Sequence, residues 1–358
     1  MTKSKFFRPE LDSLRFIAFI LILIHHNTFM HIYFIDQIKN IGWLGVDIFF
    51  CLSAFLLTRL LMLEQEEFGS INIMNFFIRR ILRIWPLYFI YVIIAIVFSW
   101  HTHVITIHNW VRVVGLLTFS DNIFAAFNGY NPIRFTGHLW TISYEEQFYL
   151  LLPFVIRYFT KSNVIKAPWF LAICFFIGFF IRLSFIYFKA GHPTIWVLPV
   201  THFESVLIGM LFGYCYPTLD KINPIIFFLC AVVSISIILL LPGTGSITYH
   251  LMILYPCIGM ASGSIVSFIL FSRSQIVKIF FKYRPLAFLG RISFGLYVFH
   301  NFCISMIFYF LKESQTTLLT FLLSLFLTIA LATLSYVLLE SPFLKMKRQF
   351  TAIPSRPI

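Results

Sequence analysis

Residues 11–27 read LDSLRFIAFILILIHHN, an apolar run that opens on Asp12 and Arg15 and closes on His25 and His26. Crossing a ~30 Å hydrocarbon core takes about 20 helical residues, and this run, continued to residue 34, supplies them. An ionisable group at mid-bilayer costs roughly 2.5–3.5 kcal/mol on insertion scales, so one that persists inside a span marks a functional site. The stretch therefore predicts both a transmembrane helix and a reason for polar groups within it.

The rest of the chain supports a membrane class. Of its 358 residues 59% are hydrophobic and 11% charged, with 46 Phe, and the mean hydropathy is +0.88. A soluble domain is nearer half apolar and a quarter charged. Apolar segments near 14–34, 43–63, 84–100, 139–158, 167–187, 194–216, 222–241, 250–271, 291–312 and 318–341 predict an all-α, polytopic transmembrane bundle of about ten spans. The segment 110–126 is moderately apolar and is read as re-entrant or interfacial, because an eleventh span there would move the basic run 273–291 to the outside. Ten spans with both termini cytoplasmic place 21 of the 27 Lys and Arg inside, five outside, and Arg182 within a span. That distribution follows the positive-inside rule. The first apolar run lacks a small-residue cleavage site and is expected to stay as a helix. The net charge of +13 suits a cytoplasmic face against anionic lipid and gives no ground for nucleic-acid binding. Six Cys lie in apolar segments without metal-type spacing. No metal site is expected, and 1–358 reads as a single membrane domain.

Several polar residues stand out. Arg15 and His26 are eleven residues apart, three turns plus ~20°, so they share a helix face with a rise of about 16 Å between them, while His25 points about 100° away. The run GWLGVDIFFCLSAFLL carries Asp47 and Ser53. In NFFIRRILRIWPLY, Arg80 and Arg83 stand one turn apart, and guanidinium forks suit phosphate. HLWTISYEEQFYLLLP places Ser143, Glu145, Glu146 and Tyr149 within two turns beside His138 and Trp140. Glu204, His300 and Glu340 are weaker candidates. Packing or topology anchoring accounts for each of these motifs taken alone.

Taken in order, they resemble the acyltransferase-3 family of membrane acyltransferases over nearly the whole chain. The resemblance rests on Leu11-Asp12-Ser13-Leu14-Arg15 with His26; on Gly45 to Phe55; on Arg80, Arg83, Ile84, Pro86 and Tyr88; on Trp140 to Tyr149; and on Ser293 to His300. Departures are Ala54 for Gly, Tyr144 for Val, and His202 where many members carry Arg. No appended serine-esterase domain is expected within the chain.

The resemblance implies a membrane O-acetyltransferase. It would move an acetyl group from cytoplasmic acetyl-CoA to a hydroxyl of a lipopolysaccharide O-antigen or another exported polysaccharide sugar. The setting implied is a bacterial inner membrane. Arg15, Arg80 and Arg83 would hold the CoA phosphates. His26, with an unperturbed pKa of about 6.5, would serve as base or acyl carrier. Glu145 would face His26 and orient its imidazole, and Ser143 would join that network. Aromatic residues at the outer openings, Trp110, Trp140 and Tyr130, are candidates for stacking on sugar. The rival reading is a transporter or flippase of a lipid-linked glycan, although the paired broken-helix repeats of many transporters are not visible.

Overall fold

A computed structural model describes residues 6–27, 38–104, 109–161, 166–245, 248–311 and 318–354. The end of the first expected span, 28–34, and the basic residues Lys3, Lys5, Lys312 and Arg356 lie outside the described residues. Among the described residues the fold is helical and holds no strand. Its helices are α1 (Pro9–His26), α2 (Leu44–Phe68), α3 (Ile73–His101), α4 (Trp110–Leu117), α5 (Asp121–Asn128), α6 (Trp140–Lys161) and α7 (Lys166–Tyr187). After these come α8 (Glu204–Tyr214), α9 (Pro224–Leu240), α10 (Leu251–Phe271), α11 (Gln275–Phe281), α12 (Arg284–Arg291), α13 (Ser293–Leu311) and α14 (Leu318–Ser335).

Local sequence sets many of the boundaries. Asn72 caps α3 by accepting the Asn75 N–H, and Asn223 caps α9, with Pro224 in the first turn where its missing N–H costs nothing. Gly69 ends α2 at φ 70°, a conformation open to a residue without Cβ.

Six helical stretches are long and apolar enough to cross a membrane: Ile38–Phe68, Ile73–His101, Ala167–Tyr187, Leu251–Phe271, Ser293–Leu311 and Leu318–Phe350. The chain is a multi-pass membrane protein. Helices α1 and α6, 18 and 22 residues long, stand apart because they carry the ionisable groups of the polar motifs. Lipid-facing side chains such as Ile94, Phe176 and Phe326 remain exposed, as a bilayer solvent requires.

Two features refine the sequence reading. The expected span 194–216 is broken: a single turn at Thr194–Val197 and a non-helical stretch precede α8, whose 11 residues rise only about 16 Å. The carbonyls freed by the break are taken up by side chains, that of Thr201 by Arg182 Nε at 2.7 Å and that of His202 by the Tyr144 hydroxyl. Irregular backbone at membrane depth survives only where it is satisfied in this way. The segment 110–126 forms α4 and α5, 8 residues each and therefore about 12 Å long, so neither crosses the bilayer. Arg112 ties them together through Asp121 at 3.0 Å.

Helix α2 forms the centre, packed by α1 and α8 through glycines. A Cβ on Gly45 would stand 2.3 Å from the Ala18 carbonyl oxygen, and one on Gly209 would stand 2.5 Å from that of Cys51. Such close backbone approach is how membrane helices gain packing energy when lipid supplies no hydrophobic drive. It also holds α1, with Arg15 and His26, in a fixed register against α2.

Candidate functional site

Three cavities stand in series between α1, α2, α3, α6 and α13. The first, of ≈ 400 Å³, is bounded by Arg79, Arg80, Arg83, Arg291, Lys347 and Arg348. The second is a narrow passage of ≈ 100 Å³ that shares Arg80, Arg83 and Lys347 with the first and adds Arg15, Ser53, Glu145 and Tyr149. The third, of ≈ 420 Å³, shares Val46, Thr141 and Tyr297 with the passage and is lined by His25, His26, His138 and Asn301. The Thr141 and Tyr297 hydroxyls lie 2.7 Å apart at this shared wall, and Tyr297 donates to the His138 carbonyl at 2.9 Å.

Hydrogen bonds join the histidines to one another and to the backbone. His300 Nδ1 lies 2.5 Å from the Tyr297 carbonyl oxygen, which can only accept, so this nitrogen carries a proton. In the neutral ring His300 Nε2 is then an acceptor, and His26 Nδ1–H donates to it at 3.0 Å. His26 Nε2 is left with its lone pair in the cavity. His138 completes the cluster, with its ring centroid 4.7 Å from that of His300 and its Nδ1 2.8 Å from Asn301 Nδ2. His25 lines the same cavity but is fixed to the Lys39 carbonyl at 2.9 Å.

Arg15, Arg80 and Arg83 come together at the passage, and Arg15 also pairs with Asp12 at 3.1 Å. Glu145 does not face His26. Ser53 Oγ donates to its Oε1 at 3.1 Å and the Tyr149 hydroxyl to its Oε2 at 3.0 Å. The reason is helical rise: Thr141 reaches the histidine cavity, and Glu145, one turn later, sits about 6 Å further toward the arginines. Ser143 is fully buried and lines none of these three cavities. Tyr130 and Trp140 border the histidine cavity, whereas Trp110 packs against Trp100 with ring centroids 6.0 Å apart.

Other candidates are consumed by structure. Glu204 forms a buried pair with Arg182, which also donates to the Leu251 carbonyl at 3.3 Å. Asp47 accepts from Ser205 at 2.6 Å and bonds His202 at 2.8 Å, packing behind the cavity wall. Arg79 is held by Glu64 at 3.1 Å and by the Phe350 carbonyl at 2.7 Å.

Sequence reasoning missed Asn301, Tyr297 and Thr141, and also Arg291, Lys347 and Arg348. The last three read as topology anchors because they lie far along the chain from Arg80. Thr141 and Tyr297 sit inside quoted motifs and Asn301 directly follows one, and adjacency of His300 and Asn301 within an apolar helix was the available signal.

The fold and this arrangement define a multi-pass helical membrane protein whose ionisable groups line a passage through the bundle. Residues 8–337 match the family model described as the acyltransferase domain, and the chain belongs to that acyltransferase family. It is 28% identical over 364 residues to a candidate O-acetyltransferase of Staphylococcus aureus strain MSSA476, covering 96% of this chain and 58% of that one. It is 25% identical over 370 residues to the peptidoglycan O-acetyltransferase OatA of Listeria monocytogenes, covering 96% and 56%. It is 27% identical over 384 residues to the O-acetyltransferase OatA of Staphylococcus aureus strain NCTC 8325, covering 97% and 59%. The chain thus spans less than two thirds of the length of these relatives. No solved structure matches.

Proposed function

We propose that this acyltransferase moves an acetyl group from cytoplasmic acetyl-CoA to a hydroxyl of a cell-surface glycan on the other side of a bacterial cytoplasmic membrane. The observation that carries the reading is the series of cavities, basic at one end and histidine-lined at the other. CoA is a polyphosphate and cannot enter lipid. Arg80 and Arg83, with Arg291, Lys347 and Arg348 around them, form the phosphate site, and the narrow passage takes the extended pantetheine arm. Arg15 marks the foot of that path and His26 its head, about 16 Å along one helix. The Lys and Arg distribution supports cytoplasmic termini and a basic cavity on the cytoplasmic side.

In the proposed reaction the sugar hydroxyl gives its proton to His26 Nε2 as its oxygen attacks the thioester carbonyl carbon. His300 stabilises the resulting imidazolium by accepting from Nδ1. The C–S bond then breaks, CoA leaves as thiolate, and the proton passes from His26 to sulfur. Glu145 balances the charge of the passage, where Arg15 and Arg83 act on it electrostatically. A relative named for peptidoglycan and the exported polysaccharide acceptor implied by the family resemblance share one acceptor type, an exported sugar hydroxyl.

The test is a proteoliposome assay with acetyl-labelled CoA and host glycan. The proposal expects glycan-dependent release of free CoA, with label recovered as a base-labile ester on the glycan. Glycan movement with the thioester intact would refute it.

A further inference from the structure

Each of the first two cavities is lined by Arg, Lys and Glu, yet among the described residues no Asp, Glu, Lys or Arg lines the histidine cavity. Its wall is instead a corner of three buried indoles. Trp196 stacks on His202 with centroids 4.4 Å apart and planes 21° apart. Trp43 meets Trp196 edge-on at 5.6 Å, and Trp140 meets it at 5.8 Å. The Trp43 N–H is spent on the Asn40 carbonyl at 2.7 Å. These contacts lock the rings from behind and leave a rigid apolar surface toward the cavity.

The same cavity is lined by His26, His138 and Asn301, and by Tyr130 and His192, which share a hydrogen bond of 3.1 Å. A lining that combines apolar indoles with neutral donors and acceptors matches a pyranose, which has C–H faces and hydroxyl edges. An acyl chain would leave the amide and imidazoles without partners. The volume of ≈ 420 Å³ lies toward the small end of ligand sites, about 300–1,000 Å³. It suits one or two sugar rings.

Charge narrows the class further. Among the described residues that line the cavity, a carboxylate or phosphate would meet no Lys or Arg and would hold His26 as imidazolium, removing the lone pair the transfer needs. An ammonium group would find no carboxylate among the described lining residues. The ammonium would be a buried charge without its partner, which is strongly unfavourable. We infer that the acceptor residue is an uncharged sugar ring, a neutral or N-acylated hexose or deoxyhexose, seated against Trp43, Trp140 and Trp196. This rests on the acetyl-transfer reading above and specifies its acceptor.

The experiment compares surface glycans from cells with and without the gene and locates the gene-dependent acetyl group by mass spectrometry of the released sugars. The inference expects the acetyl on an uncharged residue. Acetyl on a uronic acid, a phosphorylated sugar or a free amino sugar overturns it while leaving the transfer reading intact. No gene-dependent acetyl on any glycan overturns both.

A second measurement probes the aromatic wall with the glycan so identified. Trp196→Ala is expected to raise the acceptor KM about tenfold or more, the scale of a lost pocket contact. Trp196→Phe should recover most of this, and acetyl-CoA affinity measured by calorimetry should stay the same in both, which also shows that the variants are folded. An unchanged acceptor KM in Trp196→Ala would remove the indole from the site.

Discussion

His300→Phe is the substitution that most directly tests the histidine pair. The ring is fully buried, and Phe preserves its approximate shape, so little packing is lost. What disappears is the acceptor for His26 Nδ1–H at 3.0 Å. The Tyr297 carbonyl keeps its helical partner, the Asn301 N–H, so no backbone group is orphaned. A neutral hydrogen bond contributes about 1 kcal/mol net, which is roughly a fivefold bias between the two tautomers of His26. Loss of the fixed ring orientation adds a factor of about 10². We therefore expect kcat to fall some 10²- to 10³-fold, less than the ~10⁴-fold seen when a carboxylate orienter is lost from a serine-protease triad. Acetyl-CoA KM should stay within about twofold, because the arginines are untouched. Gln at 300 can offer a carbonyl oxygen to Nδ1–H and should restore part of the rate. The assay is CoA release in proteoliposomes under saturating acetyl-CoA. A His300→Phe enzyme with a kcat within twofold of the parent would refute the proposed tautomer chain.

His26→Ala should abolish glycan acetylation while expression and membrane insertion remain near normal. His25→Ala, whose ring is tied to the Lys39 carbonyl, should lose much less, and equal losses in a cellular acetylation assay would contradict the distinction. Arg80→Ala and Arg83→Ala should each weaken acetyl-CoA binding. Raised salt should weaken binding in the parent too, since phosphate contacts open to solvent are screened over ~8 Å at physiological ionic strength; calorimetry showing parent-like affinity in both variants would rule out the phosphate role. Glu145→Gln keeps the size of the side chain but removes the charge held by Ser53 and Tyr149. It should leave kcat within about threefold and act mainly on acetyl-CoA KM; a kcat loss of 10² at unchanged KM would make Glu145 the partner of His26 after all.

The membrane class was legible because hydrophobicity over 20 residues is a strong, local signal. Each of the ten expected spans has a helix within it, and the paired short helices at 110–126 leave that segment uncrossed. The break before α8 was hidden, because Thr201, His202 and Phe203 look no less helical than their neighbours. Only the distant Tyr144 and Arg182 make an unwound backbone tolerable there. The common face of Arg15 and His26 followed from helix geometry alone. The partner of His26 did not, since choosing between Glu145 and His300 requires the depth of α6 relative to α13, a tertiary quantity that periodicity does not carry. The basic cavity was half visible for the same reason: Arg80 and Arg83 share a helix turn, whereas Lys347 and Arg348 reach them only through the fold.

The replacement of a carboxylate by an imidazole beside His26 has a physical logic at this depth. A His–carboxylate pair holds a net negative charge in its resting state, which must be desolvated whenever the site stands idle in the bilayer, and removing the histidine strands the carboxylate as a buried charge. Two neutral imidazoles carry no charge until the sugar hydroxyl is deprotonated, so the cost arises only during transfer, when the forming alkoxide and thioester oxygen offset it. Glu145 lies one turn nearer the basic cavity, beside Arg15, Arg80 and Arg83. The protein thus separates two electrostatic environments along one path. One is ionic, where a polyanionic donor must be attracted from water. The other is neutral, where an uncharged acceptor has to meet a base that still has its lone pair.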